Sequence, residues 1–425
     1  MTAAKHSNRG FTYRSPMQPL MQRGAIRGLC LTGALLAYAQ GAGAAPDAAD
    51  PFDFFVSDRY LYDDNLFRIH DGVTPTDPNT PVKSRDDSIN RLSAGIAARM
   101  DASQQVFALN LRADDVRYQQ NDDLDYTGGS GTLLWDWKLG HGWSGRVQGR
   151  YDRALASFAN YELFVRDIVD VASYGAQLHY DIGSRWGVYA GGNIATAQHS
   201  AEIRKVNEFR GETGRGGLEY TTPSGNVFGL GYDFTDATFP VAQRTPGAIA
   251  PNYKDTLPAL TMSYAFTVKT SLYVRAGYLS RDYDDPVLGD FSGDVWNVSL
   301  HWEPRAKLYF DVKVWHELKA YADAESDYFV ANGGSITPTW EPTETIKIAA
   351  AFSKERQSYI GLGPLLPEEI SRRKDDVDAA QLSIEYTPRN FVSVELGYNW
   401  VSRDSNRDLR AFDDNMAYAQ LKFTL

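Results

Sequence analysis

The sequence predicts an all-β fold: a transmembrane antiparallel up-and-down β-barrel of about 18 strands, short turns at one end and long loops at the other. Three observations carry this. Side chains alternate apolar and polar almost throughout, with almost no helical period. The connections alternate between short and long. The tryptophans gather beside the short connections.

Alternation is plain wherever it is read. Phe107, Leu109, Leu111 and Ala113 share one face of a strand; Ala108, Asn110, Arg112 and Asp114 share the other. Trp143, Gly145, Val147, Gly149 and Tyr151 alternate with Ser144, Arg146, Gln148 and Arg150. Leu308, Phe310, Val312 and Val314 alternate with Tyr309, Asp311, Lys313 and Trp315. In chain order the segments are 52–65, 87–101, 104–119, 125–138, 143–156, 167–181, 185–199, 206–221 and 226–237. They continue with 254–267, 270–283, 290–303, 306–320, 328–341, 345–358, 375–387, 390–403 and 411–425. A tilted strand needs about 9–11 residues to cross the hydrocarbon layer, so each segment is long enough to span with overhang.

Eight connections are short, near 102–103, 139–142, 182–184, 222–225, 268–269, 304–305, 342–344 and 388–389. They carry turn residues, as in Pro223-Ser-Gly-Asn226, Trp302-Glu-Pro304, Trp340-Glu-Pro342 and Tyr386-Thr-Pro388. Nine are longer and polar, the longest at 66–86, 238–253 and 359–374. Short periplasmic turns, long outer loops and an even strand count are the pattern of an outer-membrane barrel. A β-propeller would need four short strands per repeat; here each repeat holds two long ones.

The last segment puts Ala417, Ala419, Leu421, Phe423 and Leu425 on one apolar face, the usual ending of such barrels. Trp137, Trp143, Trp186, Trp302 and Trp340 all lie near short turns, as expected of rings at a membrane–water boundary. Two features resist. Pro258 and Pro338 fall inside strands, implying bulges or shifted boundaries. In the first strand Asp58 and Tyr60 fall with Val56, while Arg59 and Leu61 fall with Phe55, so its phase is ambiguous.

Residues 1–44 read as an export signal. Five basic residues and no acid precede or flank an apolar run, Leu29 to Ala39, followed by Ala37-Tyr-Ala39 and Ala42-Gly-Ala44. Met17 and Met21 are alternative starts. Removing this segment takes five positive charges from a net charge of −11, leaving −16, and takes Cys30, the one cysteine. Disulfides, thiolate metal sites and nucleic-acid binding are thereby excluded from the mature chain. Residues 45–51 would be a short periplasmic segment and 52–425 the barrel, in the outer membrane of a Gram-negative bacterium.

A barrel of this size is too wide for its own side chains to fill, and about seven residues before the first strand leave no room for a plug domain. By phase, the inner face carries Arg112, Arg146, Arg150, Arg275, Lys307, Lys313 and Lys347, with Asp114, Asp136, Asp233, Asp311, Glu317, Glu385 and Glu395. Interleaved signs predict weak ion selectivity. Tyr273, Tyr309 and Trp315 also face inward and suit sugar faces sliding past, or simply line the wall. Arg146 and Arg150, together with Arg112, make either a basic ladder or, as favoured here, cross-strand pairs with Asp114 and Asp136. The loop at 66–86 is the expected constriction.

Acidic loop clusters, Asp122-Asp-Leu-Asp125, Asp282-Tyr-Asp-Asp285 and Asp413-Asp414, lack calcium-loop spacing and read as solvated charge. Gly-x-Ser-x-Gly and His-Glu-x-x-His are absent. Ser299 and His301 share a phase but sit about 6–7 Å apart along a strand. No enzyme, cofactor or metal is expected.

The segment Tyr60-Leu-Tyr-Asp-Asp-Asn-Leu-Phe-Arg68 resembles the opening strand of the EpsL family, as does Asp87-Ser-Ile-Asn-Arg91. That family comprises outer-membrane barrels linked to exopolysaccharide operons, within a broader superfamily of β-barrel porins. The resemblance implies export of an exopolysaccharide chain, with outer-membrane lipid and lipopolysaccharide around the barrel and a periplasmic polysaccharide export protein as partner. It transfers no functional residues. The alternative is a general diffusion porin for small solutes.

Overall fold

The computed structural model describes residues 51–71, 82–160, 164–323, 326–360, 373–407 and 409–425. The expected signal at 1–44, residues 45–50 and the middle of the 66–86 loop lie outside them. Eighteen strands run in order. They are β1 (Phe52–Asp63), β2 (Asp87–Ala102), β3 (Gln105–Tyr118), β4 (Tyr126–Leu139), β5 (Trp143–Leu155), β6 (Ile168–Ile182), β7 (Trp186–His199), β8 (Phe209–Thr221) and β9 (Val227–Thr238). The second half holds β10 (Tyr253–Thr267), β11 (Thr270–Tyr283), β12 (Phe291–Arg305), β13 (Leu308–Asp323), β14 (Ser326–Trp340), β15 (Ile346–Ile360), β16 (Lys374–Arg389), β17 (Val392–Ser405) and β18 (Phe412–Thr424).

Each strand pairs antiparallel with its neighbours in sequence, and β1 pairs with both β2 and β18, so the sheet closes. The closing rung is reciprocal: Phe54 N–H donates to Leu425 O at 3.2 Å, and Leu425 N–H to Phe54 O at 2.7 Å. Closure leaves no open sheet edge, as the bilayer interior demands.

Register fixes the two faces, because directly paired residues share one. Every exposed large apolar side chain on a described strand points outward. Phe54, Leu111, Trp143, Leu218, Leu230, Leu260, Phe352, Leu396 and Leu421 are examples. Four of the tryptophans expected at the short turns, Trp143, Trp186, Trp302 and Trp340, are exposed there. Near the long-loop ends the outer face turns ionic, with Arg153–Asp170, Arg210–Glu212, Lys354–Asp378 and Arg356–Asp376. An apolar belt thus ends in a charged rim at the long-loop end.

The ambiguous first strand has a single phase. Phe52, Phe54, Val56, Asp58, Tyr60 and Tyr62 point out, while Arg59 points in and pairs with Gln420. Asp58 is therefore a carboxylate within the apolar belt, bonded by Asn90 Nδ2 at 2.7 Å.

The two prolines neither bulge nor displace their strands. Pro258 pairs with Tyr232 of β9, while toward β11 the pairing skips from Thr256 to Ala259 with register unchanged. Pro338 pairs with Phe310 of β13, and toward β15 it skips from Ile336 to Thr339. Each missing N–H opens one side of the ladder for two rungs. Register shifts occur instead beside Pro304 and Pro388, in the turns that end β12 and β16. At the Pro223–Asn226 turn, Gly225 takes φ +84°, closing bonds from Thr222 to Asn226.

Candidate functional site: the barrel interior

The inner wall is read by the same register. Arg112, Asp114, Arg146, Arg150, Tyr273, Arg275, Tyr309, Asp311, Lys313, Trp315 and Glu317 all fall on the face opposite the apolar belt. Lys347, Asp136, Asp233, Glu385 and Glu395 fall there too. Lys307 does not. It sits in the turn between β12 and β13, with Nζ 3.4 Å from Pro342 O, because β12 runs on to Arg305 and leaves Lys307 no wall position.

Many of these charges are paired. Arg146 is bidentate on Asp136; Arg112 bonds Asp114 at 3.0 Å; Arg150 bonds Asp152; Arg275 bonds Asp233 at 2.7 Å, with Arg215 at 3.7 Å. These are the cross-strand and same-strand pairs, not a free basic ladder. His301 Nδ1 lies 2.9 Å from Asp311 Oδ1, and its ring packs on Tyr309 at 5.8 Å. Glu317 accepts from Asn297 Nδ2 at 3.1 Å. The Arg150 side chain keeps 56% of its surface exposed and His301 44%, so water reaches this wall.

Three of the inner aromatics, Trp315, Tyr418 and Phe55, lie against the wall under a cation. The Trp315 ring lies flat against the wall over Gly333, where a Cβ would come within 2.5 Å of it. Its Nε1–H donates to Glu355 at 2.7 Å, and Lys319 Nζ sits 5.7 Å from the ring centroid. Tyr418 lies over Gly397 with the Arg59 guanidinium 4.4 Å above it. Phe55 lies over Gly95 with Lys422 at 4.8 Å. Each ring is layered between bare backbone and a cation, a cation–π arrangement that occupies its open face.

Toward the loop end the interior fills. Leu66, Phe67 and Ile69, just after β1, are buried against Ile89, Val116, Tyr118 and Tyr126 of the inner wall. The loop expected to constrict the bore therefore does turn inward in its described part, 64–71. It is pinned to β18 throughout: Asp64 accepts from Asn415, Asn65 Nδ2 donates to Asp413 O at 2.7 Å, and Arg68 pairs with Asp414 at 2.9 Å. The Tyr60–Arg68 motif is thus a clasp; Asp414 is buried in it, while Asp413 lends only its backbone carbonyl and keeps an exposed side chain. Asp122 and Asp123, both exposed, pair with Lys83.

The β5–β6 loop joins it. Phe67 packs 4.8 Å from Phe158 and 5.3 Å from Phe164. On its far side Arg403 Nη1, from β17, donates to Ala159 O at 2.6 Å. Six strand spacings separate β17 from β5 along the wall. At about 4.8 Å each this is roughly 29 Å of arc, so the loop crosses the interior. Arg403 is itself held over the Phe412 ring at 4.7 Å and near Asp375 at 3.8 Å, whose carboxylate also binds Arg373 and Ser405. Further loops pack inside as well: Phe239 and Ala242 join the inner-wall cluster of Val169, Ala197, Phe209 and Tyr253.

Arg59, Tyr189, Lys319, Glu355 and Arg403 were not singled out from the sequence, though strand phase places each inward. Arg68 had no such signal, being in a loop. Among the described residues, one group of carboxylates lies close enough to share an ion: Asp63, Asp64 and Asp414. The guanidinium of Arg68 already stands there.

A family model described as "Putative beta-barrel porin 2" matches residues 263–425. Among solved structures, the outer-membrane protein OpdK of Pseudomonas aeruginosa is 8% identical, covering 88% of this chain and 99% of its own, with a TM-score of 0.46. OccK2 (OpdF) of P. aeruginosa in complex with glucuronate is 9% identical, covering 88% and 98%, at 0.47. A BenF-like porin from P. fluorescens Pf-5 is 10% identical, covering 88% and 98%, at 0.45. No curated protein matches the chain. The family match covers the C-terminal part alone; the closed sheet and apolar outer belt make the chain an outer-membrane β-barrel. It lies in the outer membrane of a Gram-negative bacterium, its apolar belt in the hydrocarbon and its charged rim at the headgroups.

Proposed function

We propose that this barrel is a diffusion channel for small solutes. The observation that carries this reading is the Arg403–Ala159 contact: a loop rooted on β5 and β6 reaches β17 across the interior. A polymer needs an open bore along its whole length; a bore crossed by a loop suits solutes that pass one at a time. The paired charges of the wall favour weak selectivity, since Arg112, Arg146, Arg150 and Arg275 each have a carboxylate within 4 Å.

Exopolysaccharide export is the second reading, supported by the Tyr60–Arg68 resemblance. Two features weigh against it: the crossing loops, and the rings of Trp315 and Tyr418, whose open faces are taken by Lys319 and Arg59.

The test is reconstitution of the purified barrel in planar bilayers and liposomes. The expected result is a stable conductance, a reversal potential near zero in a KCl gradient, and swelling in small sugars. Absence of conductance and swelling, with polymer lost from the medium of a deletion strain and restored by the wild-type gene, would instead establish export.

A further inference from the structure

Two inward loops act as one body. The β1–β2 loop contributes Phe67, the β5–β6 loop Phe158 and Phe164, and the three rings pack together inside the outer half of the barrel. That body grows from β1, β2, β5 and β6; it is fastened beside its own root to β18, the neighbour of β1, and at the far end of the β5–β6 loop to β17.

Two arginines make the fastening. Arg68 reaches Asp414 of β18 at 2.9 Å, its own backbone held at φ +52°, a left-handed conformation that a non-glycine residue adopts at a cost. Arg403 of β17 reaches Ala159 O at 2.6 Å. Both contacts are shielded from water: the Arg403 side chain is 3% exposed and that of Asp414 is fully buried. Charge-assisted bonds in such surroundings are the strong ones. The Arg403 end is also pre-set, because Asp375 and Phe412 fix the guanidinium before the loop arrives.

We propose that Arg403 is a positioning residue that holds the β5–β6 loop across the bore, with Arg68 anchoring the Phe67 segment it packs on, and so sets the largest solute the channel passes. This rests on the diffusion-channel reading and names the residues that regulate it. Neither arginine need touch the solute; they act through where the loops lie. Lysine in place of Arg403 keeps the charge but has a shorter reach and a single donor head, so it restores the contact only in part.

The experiment compares liposome swelling in sugars of graded size, and single-channel conductance, for wild type, Arg403→Ala, Arg403→Lys and Arg68→Ala/Arg403→Ala. Heat-modified gel mobility reports whether each barrel has folded. The expected result is an upward shift of the size cut-off and a higher conductance in Arg403→Ala, more so in the double variant, and a return toward wild type in Arg403→Lys. Should Arg403→Ala fail to fold, Phe158→Ala/Phe164→Ala loosens the same body from the other side, leaves the Arg403 network intact, and should raise the cut-off likewise. An unchanged cut-off in folded variants overturns the proposal while leaving the diffusion reading in place. If wild type and all variants pass neither ions nor sugars, both fall. If wild type is closed and Arg403→Ala conducts, the diffusion reading falls, and with it the claim that these contacts set a solute size.

Discussion

Glu355 is a heavily used carboxylate of the inner wall, and its removal should be strongly destabilising. It is 1% exposed and accepts three bonds, from Trp315 Nε1 at 2.7 Å, Lys319 Nζ at 2.6 Å and Gln357 Nε2 at 2.8 Å. Glu355→Ala leaves all three donors without their acceptor. Breaking a buried ion pair from one side costs about 3–5 kcal/mol, because the remaining charge is left buried. Lys319 keeps a quarter of its side chain in water, which lowers its share. A stranded indole N–H adds about 1–3 kcal/mol. These costs overlap, and about 3 kcal/mol of lost stability is the expected total. Removing Lys319 as well, in Glu355→Leu/Lys319→Met, should recover much of it, since no charge is then left alone. Equilibrium urea unfolding in lipid vesicles measures both. A loss below about 1 kcal/mol for Glu355→Ala, or a double variant no better than the single variants summed, would refute the view that this carboxylate neutralises a buried donor cluster.

Gly333→Ala sets a methyl group 2.5 Å from the Trp315 ring and should cost about 1–3 kcal/mol in the same assay, with the Trp315–Glu355 bond broken; a neutral result would mean the indole is not seated on that glycine. Asp58→Leu should stabilise the barrel by roughly 1–2 kcal/mol, since a lipid-facing carboxylate is replaced by apolar surface; a loss of stability would show that something other than lipid covers the Asp58–Asn90 pair. Asp167 lies in the loop before β6. Burial alone would raise its pKa, but bonds from His199 and the Ala201 N–H, with Arg204 nearby, outweigh that and hold it below the ordinary carboxylate range. Its contribution is therefore full above the unfolded value of about 3.9 and is lost as pH falls through the lower folded value. Hydrogen exchange at Ala201 should distinguish wild type from Asp167→Asn near neutral pH and cease to do so in strong acid; a difference that persists there would contradict this sign.

The period-2 pattern made the strands, their number and the inner face legible, because a barrel strand has one apolar and one wet side. It even carried Pro258 and Pro338 through, since a ladder can open on one side without shifting register. Phase alone also held the answer for Asp58: its neighbours Phe54, Val56, Tyr60 and Tyr62 outvote it. What the sequence withheld are contacts between distant parts. Arg403 and Ala159 are 244 residues apart, and no local period announces that an arginine will meet a carbonyl of a loop rooted six strands away. The same holds for Arg59 above Tyr418 and for Arg68 on Asp414, which need the first and last strands to be neighbours. The Tyr60–Arg68 segment was recognisable as a motif, but its work as a clasp depends on three residues of β18.

Pairing of β1 with β18 has a kinetic consequence. The rung between Phe54 and Leu425 closes a loop of almost the entire barrel. The entropy of such a closure grows only slowly with length, but it must be surrendered before any of its hydrogen bonds form. Folding is then governed by its least local contact, and rates fall as contacts become less local. Until β18 arrives, β1 and the newest strand are both bare edges, each able to pair with the wrong chain. An unclosed intermediate is consequently the species most in need of escort on its way to the membrane, and the Asp64, Asn65 and Arg68 contacts to β18 can form only once that wait is over.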